Sequence, residues 1–131
     1  MKKTLLPAGW IKPRGYANGV AARGTQVYIA GQIGWDENAR FRSTEFGAQA
    51  RQALQNIVAV LAAAGGRPEH LVRMTWYVTD KREYLASLRE IGQAFRDLIG
   101  DYDIAMSAIQ VVALIEDEAK VEIEATAVIP D

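Results

Sequence analysis

Strict alternation of apolar and polar residues near the C-terminus constrains the fold more than any other feature of this chain. The apolar positions are Val121, Ile123, Ala125 and Ala127, and the polar positions between them are Glu122, Glu124 and Thr126. A β-strand directs successive side chains to opposite faces, so this segment predicts a strand with one buried face and one polar face. The apolar run 105–114 and the acidic turn 115–119 come before it. Together these segments predict a C-terminal β-hairpin.

Two further strands are predicted near the N-terminus. Tyr16–Ala22 and Thr25–Ile33 are separated by Arg23-Gly24, a pair typical of a tight turn. Gly31 interrupts the second strand, and a glycine inside a strand often marks a β-bulge or a close approach to the backbone. Residues 1–15 are rich in proline and glycine, and we expect them to be irregular.

Apolar residues recur at helical spacing in two segments. Ser43 is predicted to cap the first helix, and Gly65-Gly66 ends it. Asp80 is predicted to cap the second helix, which ends at Gly100. A strand from Leu71 to Thr79 lies between the two helices.

The resulting order, ββαβαββ, predicts an α+β fold in a single domain covering residues 1–131. Two strand–helix–strand connections imply a mixed sheet, and two helices can cover only one face of it. The uncovered face is predicted to carry both glutamates together with Tyr77, Met106, Ala108, Val112 and Leu114. Such a face is too apolar for solvent. We therefore expect a closed homo-oligomer, with a pocket around the glutamates where subunits meet.

Composition narrows the range of partners. The chain has 15 basic and 16 acidic residues, a net charge of −1 and no basic stripe, so we expect no nucleic-acid partner. It has no cysteine, and its single histidine cannot form a usual zinc site, so we expect no metal and no cofactor. No segment approaches the roughly 18 consecutive apolar residues of a membrane span. The sequence favours a cytoplasmic protein whose partner is a small molecule or another protein.

Five short motifs resemble those of one protein family. They are Ile29–Ile33, Gln49–Asn56, Ala62–Gly65, Val78–Asp80 and Val121–Ala125. In this order and spacing they make residues 16–128 resemble the RidA/YjgF family, also labelled L-PSP endoribonuclease-like. The resemblance implies a chorismate-mutase-like fold and a homotrimer whose sheets form a central barrel, with a small-molecule pocket at each subunit interface. It also implies hydrolysis of reactive enamines and imines, such as 2-aminoacrylate, with release of ammonia.

The resemblance assigns roles to three residues that match the family. Tyr16 matches an N-terminal tyrosine, Gly31 matches a strand glycine whose backbone meets the substrate, and Glu122 matches the glutamate that positions the attacking water. Glu122 is therefore the predicted catalytic residue. From the residues alone, Glu122 could instead be a solvated surface carboxylate, Tyr16 an aromatic residue packed at a strand edge, and Gly31 only a bulge. Trp35, in a loop, is a candidate for lining the pocket or an interface.

Departures from the family pattern bear on the substrate. Met106 stands where the deaminases have an arginine that clamps the substrate carboxylate, and Leu88 stands where they have an asparagine. A thioether cannot reproduce the bidentate grip of a guanidinium, and losing a charge-assisted hydrogen bond costs about 1.5–3 kcal/mol. We therefore disfavour 2-aminoacrylate and expect an apolar or aromatic ligand, for example an intermediate of aromatic degradation. Ser107 joins the predicted binding residues but has no histidine or lysine placed to activate it as a nucleophile.

Three classes of function remain open on this pattern. The first is a hydrolase, of the deaminase type, acting on a small imine, enamine or other conjugated compound with Glu122 directing water. The second is a trimeric small-molecule binder that has kept the pocket and lost the chemistry. The third is an interaction scaffold without a ligand. Assays of activity separate the first class from the others, and ligand-induced thermal shifts separate the second from the third.

Overall fold

The computed structural model describes residues 2–101 and 103–131. Its strands are β1 (Lys2–Leu5), β2 (Gly19–Ala22), β3 (Thr25–Ile33), β4 (Leu71–Val78), β5 (Ala105–Gln110) and β6 (Val121–Ile129). Its helices are α1 (Phe46–Ala63), α2 (Lys81–Ala86) and α3 (Leu88–Leu98). A short 3-10 helix, Pro68–His70, precedes β4.

A mixed sheet of four strands organises the fold, in the order β3-β6-β4-β5. β4 and β5 run parallel, whereas β6 runs antiparallel to both β3 and β4. β1 and β2 form a separate antiparallel ribbon. The predicted α+β fold with a mixed sheet is confirmed.

The predicted hairpin between the last two strands is wrong. β5 pairs with one edge of β4, and β6 pairs with the other edge, so β4 lies between them. The connection 111–120 passes the end of β4 instead of turning tightly: the Val111 N–H donates to the Val78 carbonyl at 2.8 Å, and the Thr79 N–H donates to the Lys120 carbonyl at 3.2 Å. A parallel pair needs a long crossover, which α2 and α3 supply between β4 and β5.

The helices cover one face of the sheet, as predicted, and the hydrophobic core lies beneath them. The buried residues include Leu54, Ile57 and Leu61 of α1, Trp76 of β4, and Val121, Ile123, Ala125 and Ala127 of β6. The four β6 residues are between 0% and 4% exposed, which confirms that the alternating pattern marks a half-buried strand. We call the opposite face of the sheet, which carries Glu122 and Glu124, the open face.

Several local predictions differ from the structure. β1 lies in the segment that was expected to be irregular, and β2 begins at Gly19, later than predicted. The second helix is divided at Ser87 into α2 and α3. α1 begins at Phe46, and Ser43 does not cap it, because the Ser43 hydroxyl accepts a hydrogen bond from the Glu45 N–H at 3.0 Å. That contact spans two residues and closes a local turn before the helix.

Gln49 ties α1 to the segment that leads into β6. Its side chain is 1% exposed. Nε2 donates to the carbonyls of Ser43 and Glu118, both at 3.0 Å, and Oε1 accepts from the Lys120 N–H at 2.9 Å. Lys120 directly precedes β6, so this single amide fixes the start of the strand that carries Glu122.

Candidate functional site

Glu122 of β6 packs against the backbone of Gly31 in β3. A Cβ atom at position 31 would lie 2.7 Å from Cδ and 2.8 Å from Cγ of Glu122, so glycine is what leaves room for this side chain. The pairing of β3 with β6 is irregular between Ile29 and Gln32, which is the bulge that Gly31 predicts. A bulge takes residues out of the regular hydrogen-bond ladder of the sheet. The peptide groups near Gly31 are in this irregular segment and lie beside the Glu122 carboxylate. Two of the predicted site residues therefore meet on the open face.

The two glutamates of the open face have different surroundings. The Tyr77 hydroxyl donates to Oε1 of Glu124 at 2.8 Å, and this hydrogen bond is the main cause that raises the pKa of Tyr77. Glu122 is half-buried and lies opposite Tyr77 in the strand pairing. Among the described residues it makes no hydrogen bond and no ion pair. Glu122 is therefore the carboxylate that remains available to water or a ligand.

Met106 and Ala108 do not share the open face with Glu122, contrary to the prediction. In the parallel register with β4 they lie opposite buried residues of the helix-covered face. Ser107 lies opposite Thr75 and so belongs to the open face. The error follows from the sheet order, because the register of β5 is set by β4 and not by a hairpin turn with β6.

A cavity of about 700 Å³ lies between β5, α3 and the segment 12–16. Four of the predicted site residues line it, namely Tyr16, Leu88, Met106 and Ser107. Its other wall residues include the aromatic and apolar side chains of Trp76, Tyr84, Ile91 and Phe95. Burial raises the pKa of the Tyr84 hydroxyl, so this phenol is neutral at physiological pH. The cavity suits a ligand with an apolar or aromatic body.

Trp35 lies apart from the Glu122–Gly31 pair and from the cavity. It follows β3 in the loop that leads to α1, and its ring packs against Phe41 with the centroids 5.9 Å apart. The side-chain amide of Asn56 in α1 holds this loop by donating to the carbonyls of Trp35 at 2.8 Å and Ile33 at 3.2 Å. Within one chain the predicted site residues thus occupy three places: the open-face pair, the cavity and this loop.

The loop of Trp35 is organised around a carboxylate that is 7% exposed, Asp36. It accepts hydrogen bonds from Nε of Arg42 at 2.7 Å and from the N–H groups of Asn38 at 2.9 Å and Arg40 at 3.2 Å. The hydrogen bond from Arg42 is the main cause that lowers the pKa of Asp36 below its ordinary value.

We expect the change Asp36→Asn to destabilise the protein at neutral pH and to have less effect in acid. Because the pKa of Asp36 is lower in the folded state, its ionised form stabilises the fold above the unfolded pKa of roughly 4, and that stabilisation is lost as the pH falls through the folded-state pKa. Urea midpoints of wild type and variant at neutral pH and near pH 3 measure this, with the exposed neighbour Glu37→Gln as control. A difference that stays constant with pH would contradict the expectation.

Sequence reasoning missed the contribution of α3 to the cavity beyond Leu88. Gly92, Phe95 and Arg96 line it as well. With Leu88 as position i, they lie at i+4, i+7 and i+8 and therefore on one side of the helix. This spacing is the signal that would have identified them. Arg96 is the charged residue of this set, and it places a cation beside the apolar side chains that α3 contributes to the cavity.

No group of His, Cys, Asp and Glu side chains that could hold a metal ion occurs in the described part of the chain. None of the described helices is long and apolar enough to cross a membrane. The expectation that the chain needs no cofactor stays a prediction.

Comparison with known proteins gives consistent matches over nearly the whole chain. Residues 11–129 match the family described as Endoribonuclease L-PSP. The 2-iminobutanoate/2-iminopropanoate deaminase of Salmonella typhimurium is 34% identical over 113 residues, which cover 86% of each chain. The crystal structure of YyfB from Yersinia pestis, of the conserved Rid protein family, superposes with a TM-score of 0.86 at 31% identity and covers 98% of both chains. That of E. coli TdcF with bound serine has a TM-score of 0.71 at 31% identity and covers 92% of this chain and 91% of the other.

Proposed function

Because the chain belongs to the RidA/YjgF family, the Endoribonuclease L-PSP family of the matches above, we propose that it is a cytoplasmic hydrolytic deaminase acting on a small imine or enamine. The observation that carries the proposal is the packing of the Glu122 carboxylate against the Gly31 backbone at a β-bulge. A carboxylate that makes no hydrogen bond or ion pair with the described residues can accept a proton from water, and backbone groups at a bulge can orient a bound substrate. The name of the Salmonella relative describes this class of reaction.

Hydrolysis of an imine needs one base and one water molecule. Glu122 accepts a proton from the water as the water oxygen bonds to the imine carbon. The electron pair of the C=N π bond moves to nitrogen, which takes up a proton from solvent. The proton held by Glu122 then passes to the nitrogen of the resulting carbinolamine. The C–N bond breaks as the hydroxyl oxygen forms the C=O bond and releases its proton to solvent, and the products are a carbonyl compound and ammonia. No other covalent chemistry is required of the chain.

We propose that the complete site forms between subunits of a homotrimer. Glu122 and Gly31 lie on the open face, whereas the residues that would surround the substrate line the cavity beside β5 and α3. A second copy that places its cavity against the open face of the first would join the two halves. A heterologous contact of this kind forms a closed ring of three when each subunit is rotated by a third of a turn from the last. Exposed apolar side chains support an interface of this kind: Tyr28 of the open face is 73% exposed, Ile109 of β5 is 47% exposed, and Val112 lies fully in solvent.

The walls of the cavity bear on the substrate. Met106 and Leu88 offer no hydrogen bond to a small polar imino acid, whereas the rings of Trp76, Tyr84 and Phe95 offer apolar contact. We therefore propose a substrate with an apolar or aromatic body, such as a conjugated intermediate of aromatic degradation, in preference to 2-aminoacrylate.

A comparison of imines tests the proposal. An L-amino acid oxidase converts phenylalanine, leucine or alanine to the corresponding imine in the assay, and a serine dehydratase supplies 2-aminoacrylate. We expect the protein to accelerate hydrolysis of the imines from phenylalanine and leucine and to act little on 2-aminoacrylate. The control is the variant Met106→Arg, for which we expect some gain with 2-aminoacrylate. The proposed preference would be contradicted if the wild type hydrolysed 2-aminoacrylate fast and the imines from phenylalanine and leucine slowly.

A second candidate is a trimeric protein that binds a small molecule without converting it. Met106 and Leu88 favour this alternative, because both replace polar groups that contact the substrate in the family. Under it, apolar ligands would raise the melting temperature of the protein while no imine would be hydrolysed. The change Glu122→Gln would then leave every measured property close to that of wild type.

A further inference from the structure

The cavity has an apolar wall but a charged rim. Lys12 and Arg14 from the N-terminal segment, Arg96 from α3, and Asp101 and Asp103 line it. Asp103 accepts a hydrogen bond from the hydroxyl of Thr4 in β1 at 2.8 Å. Among the described residues the rim has three basic and two acidic side chains, so its formal charge is positive. An anion is favoured there over a cation.

Arg96 is the rim cation with the most rigid support. It lies near the end of α3, whereas Lys12 and Arg14 belong to a segment outside the helices and strands. Gly92 lies one helical turn before it, and Nη1 of Arg96 is 3.5 Å from where a Cβ of Gly92 would be. The guanidinium therefore lies back along the helix over a position without a side chain, at the edge of the cavity.

Within residues 2–101 and 103–131, Arg96 forms no ion pair with a carboxylate, although its charge contributes to lowering the pKa of Asp97. Its Nη2 donates to the neutral Oε1 of Gln93 at 3.2 Å. The nearby Asp97 is held by Arg51, whose Nη2 lies 2.7 Å from Oδ2, and by the Gln93 amide, which donates to Oδ1 at 2.7 Å. The hydrogen bond from Arg51 is also the main cause that lowers the pKa of Asp97. Arg96 thus retains donors for a further acceptor.

We propose that Arg96 binds the carboxylate of the ligand while the aromatic wall of the cavity holds its apolar body. A guanidinium presents a planar pair of N–H donors that matches a carboxylate. The ligand class is therefore an aromatic or branched apolar carboxylate, such as an arylalkanoate or a 2-imino acid with a large side chain. The proposed function is needed only to say that the ligand carries an imine. The binding of its carboxylate by Arg96 is inferred from the cavity alone.

Binding of two matched probes tests this subsite without turnover. Phenylacetate and its neutral isostere phenylacetamide are titrated by NMR into wild type, Arg96→Gln and Arg89→Gln. Arg89 is an exposed arginine of α3 that does not line the cavity, so its variant removes the same charge elsewhere on the helix. We expect Arg96→Gln to weaken phenylacetate at least about tenfold. We expect its effect on phenylacetamide, and the effect of Arg89→Gln on either probe, to be small.

Three results would overturn the inference. They are absence of phenylacetate binding to wild type, equal weakening of both probes by Arg96→Gln, and equal weakening of phenylacetate by the two arginine variants. The imine assays report separately on the proposed function. If no imine is hydrolysed while phenylacetate binding still depends on Arg96, the deaminase proposal fails and the carboxylate subsite stands.

Discussion

Replacing Glu122 by glutamine is expected to reduce kcat for imine hydrolysis by about a hundredfold or more, the scale of a lost general base. Glutamine keeps the shape of the side chain against Gly31 but cannot accept the proton from water. Because Glu122 makes no hydrogen bond or ion pair among the described residues, we expect the free energy of unfolding to change by less than about 1 kcal/mol. Steady-state kinetics on the best imine, together with urea denaturation, measure both effects.

The matched control for this prediction is Glu124→Gln. Glu124 lies on the same face of the same strand but is exposed and accepts the hydrogen bond from Tyr77. We expect this variant to keep most of the activity. If both variants lose activity equally, the effect belongs to the charge of the open face and not to a base at position 122. Full activity of Glu122→Gln would remove Glu122 from the mechanism.

The change Gln49→Leu is expected to lower the free energy of unfolding by about 3 kcal/mol. Leucine fills a similar volume but breaks three hydrogen bonds and leaves the carbonyls of Ser43 and Glu118 and the N–H of Lys120 without this partner. Stability of a small domain is only about 5–15 kcal/mol, so this loss is a large fraction of the total. Urea denaturation followed by circular dichroism measures it.

The control for this second prediction is Gln55→Leu. Gln55 is an exposed residue of the same helix, so the same change in composition there should alter stability by no more than about 0.5 kcal/mol. Equal destabilisation by the two variants would show that the amide of Gln49 does not stabilise the loop before β6. We also expect Gln49→Leu to reduce activity, because Glu122 lies two positions after Lys120.

The sequence predicted which residues of β6 are buried but not which strand lies beside it. The alternation from Val121 to Ala127 indicates that one face of this strand is buried. It does not indicate which strands lie on either side of it. Strand order depends on which edge of β4 each later strand joins, and both choices bury the same residues. The helices α2 and α3 bring β5 back parallel to β4, so β6 takes the other edge. A local turn pattern at 115–119 could not reveal this.

The site was predictable to a similar extent. A glycine inside β3 and a glutamate on the polar face of β6 indicated the contact that the structure contains. Tyr16, Leu88, Met106 and Ser107 do share a cavity, although Met106 lies on the other face of the sheet from Glu122. Arg96 was missed because a charged residue near the end of an amphipathic helix is normally solvated. Only the tertiary structure places it at a cavity.

Activity of mixed trimers tests the central claim, a site shared between subunits, most directly. One subunit carries Glu122→Gln. The other carries Gly92→Trp, which places a large ring at a residue that lines the cavity. A Cβ added there meets the end of the Arg96 side chain at 3.5 Å, an ordinary contact. With two different affinity tags, only trimers that contain both subunits are purified.

Each variant alone should be inactive. In a mixed ring, one contact always joins an intact open face to an intact cavity, so we expect about one third of the wild-type activity per trimer. Activity near that level would support the shared site. Absence of activity in mixed trimers that are correctly assembled would contradict it, because a site contained within one subunit cannot be restored by mixing these two variants.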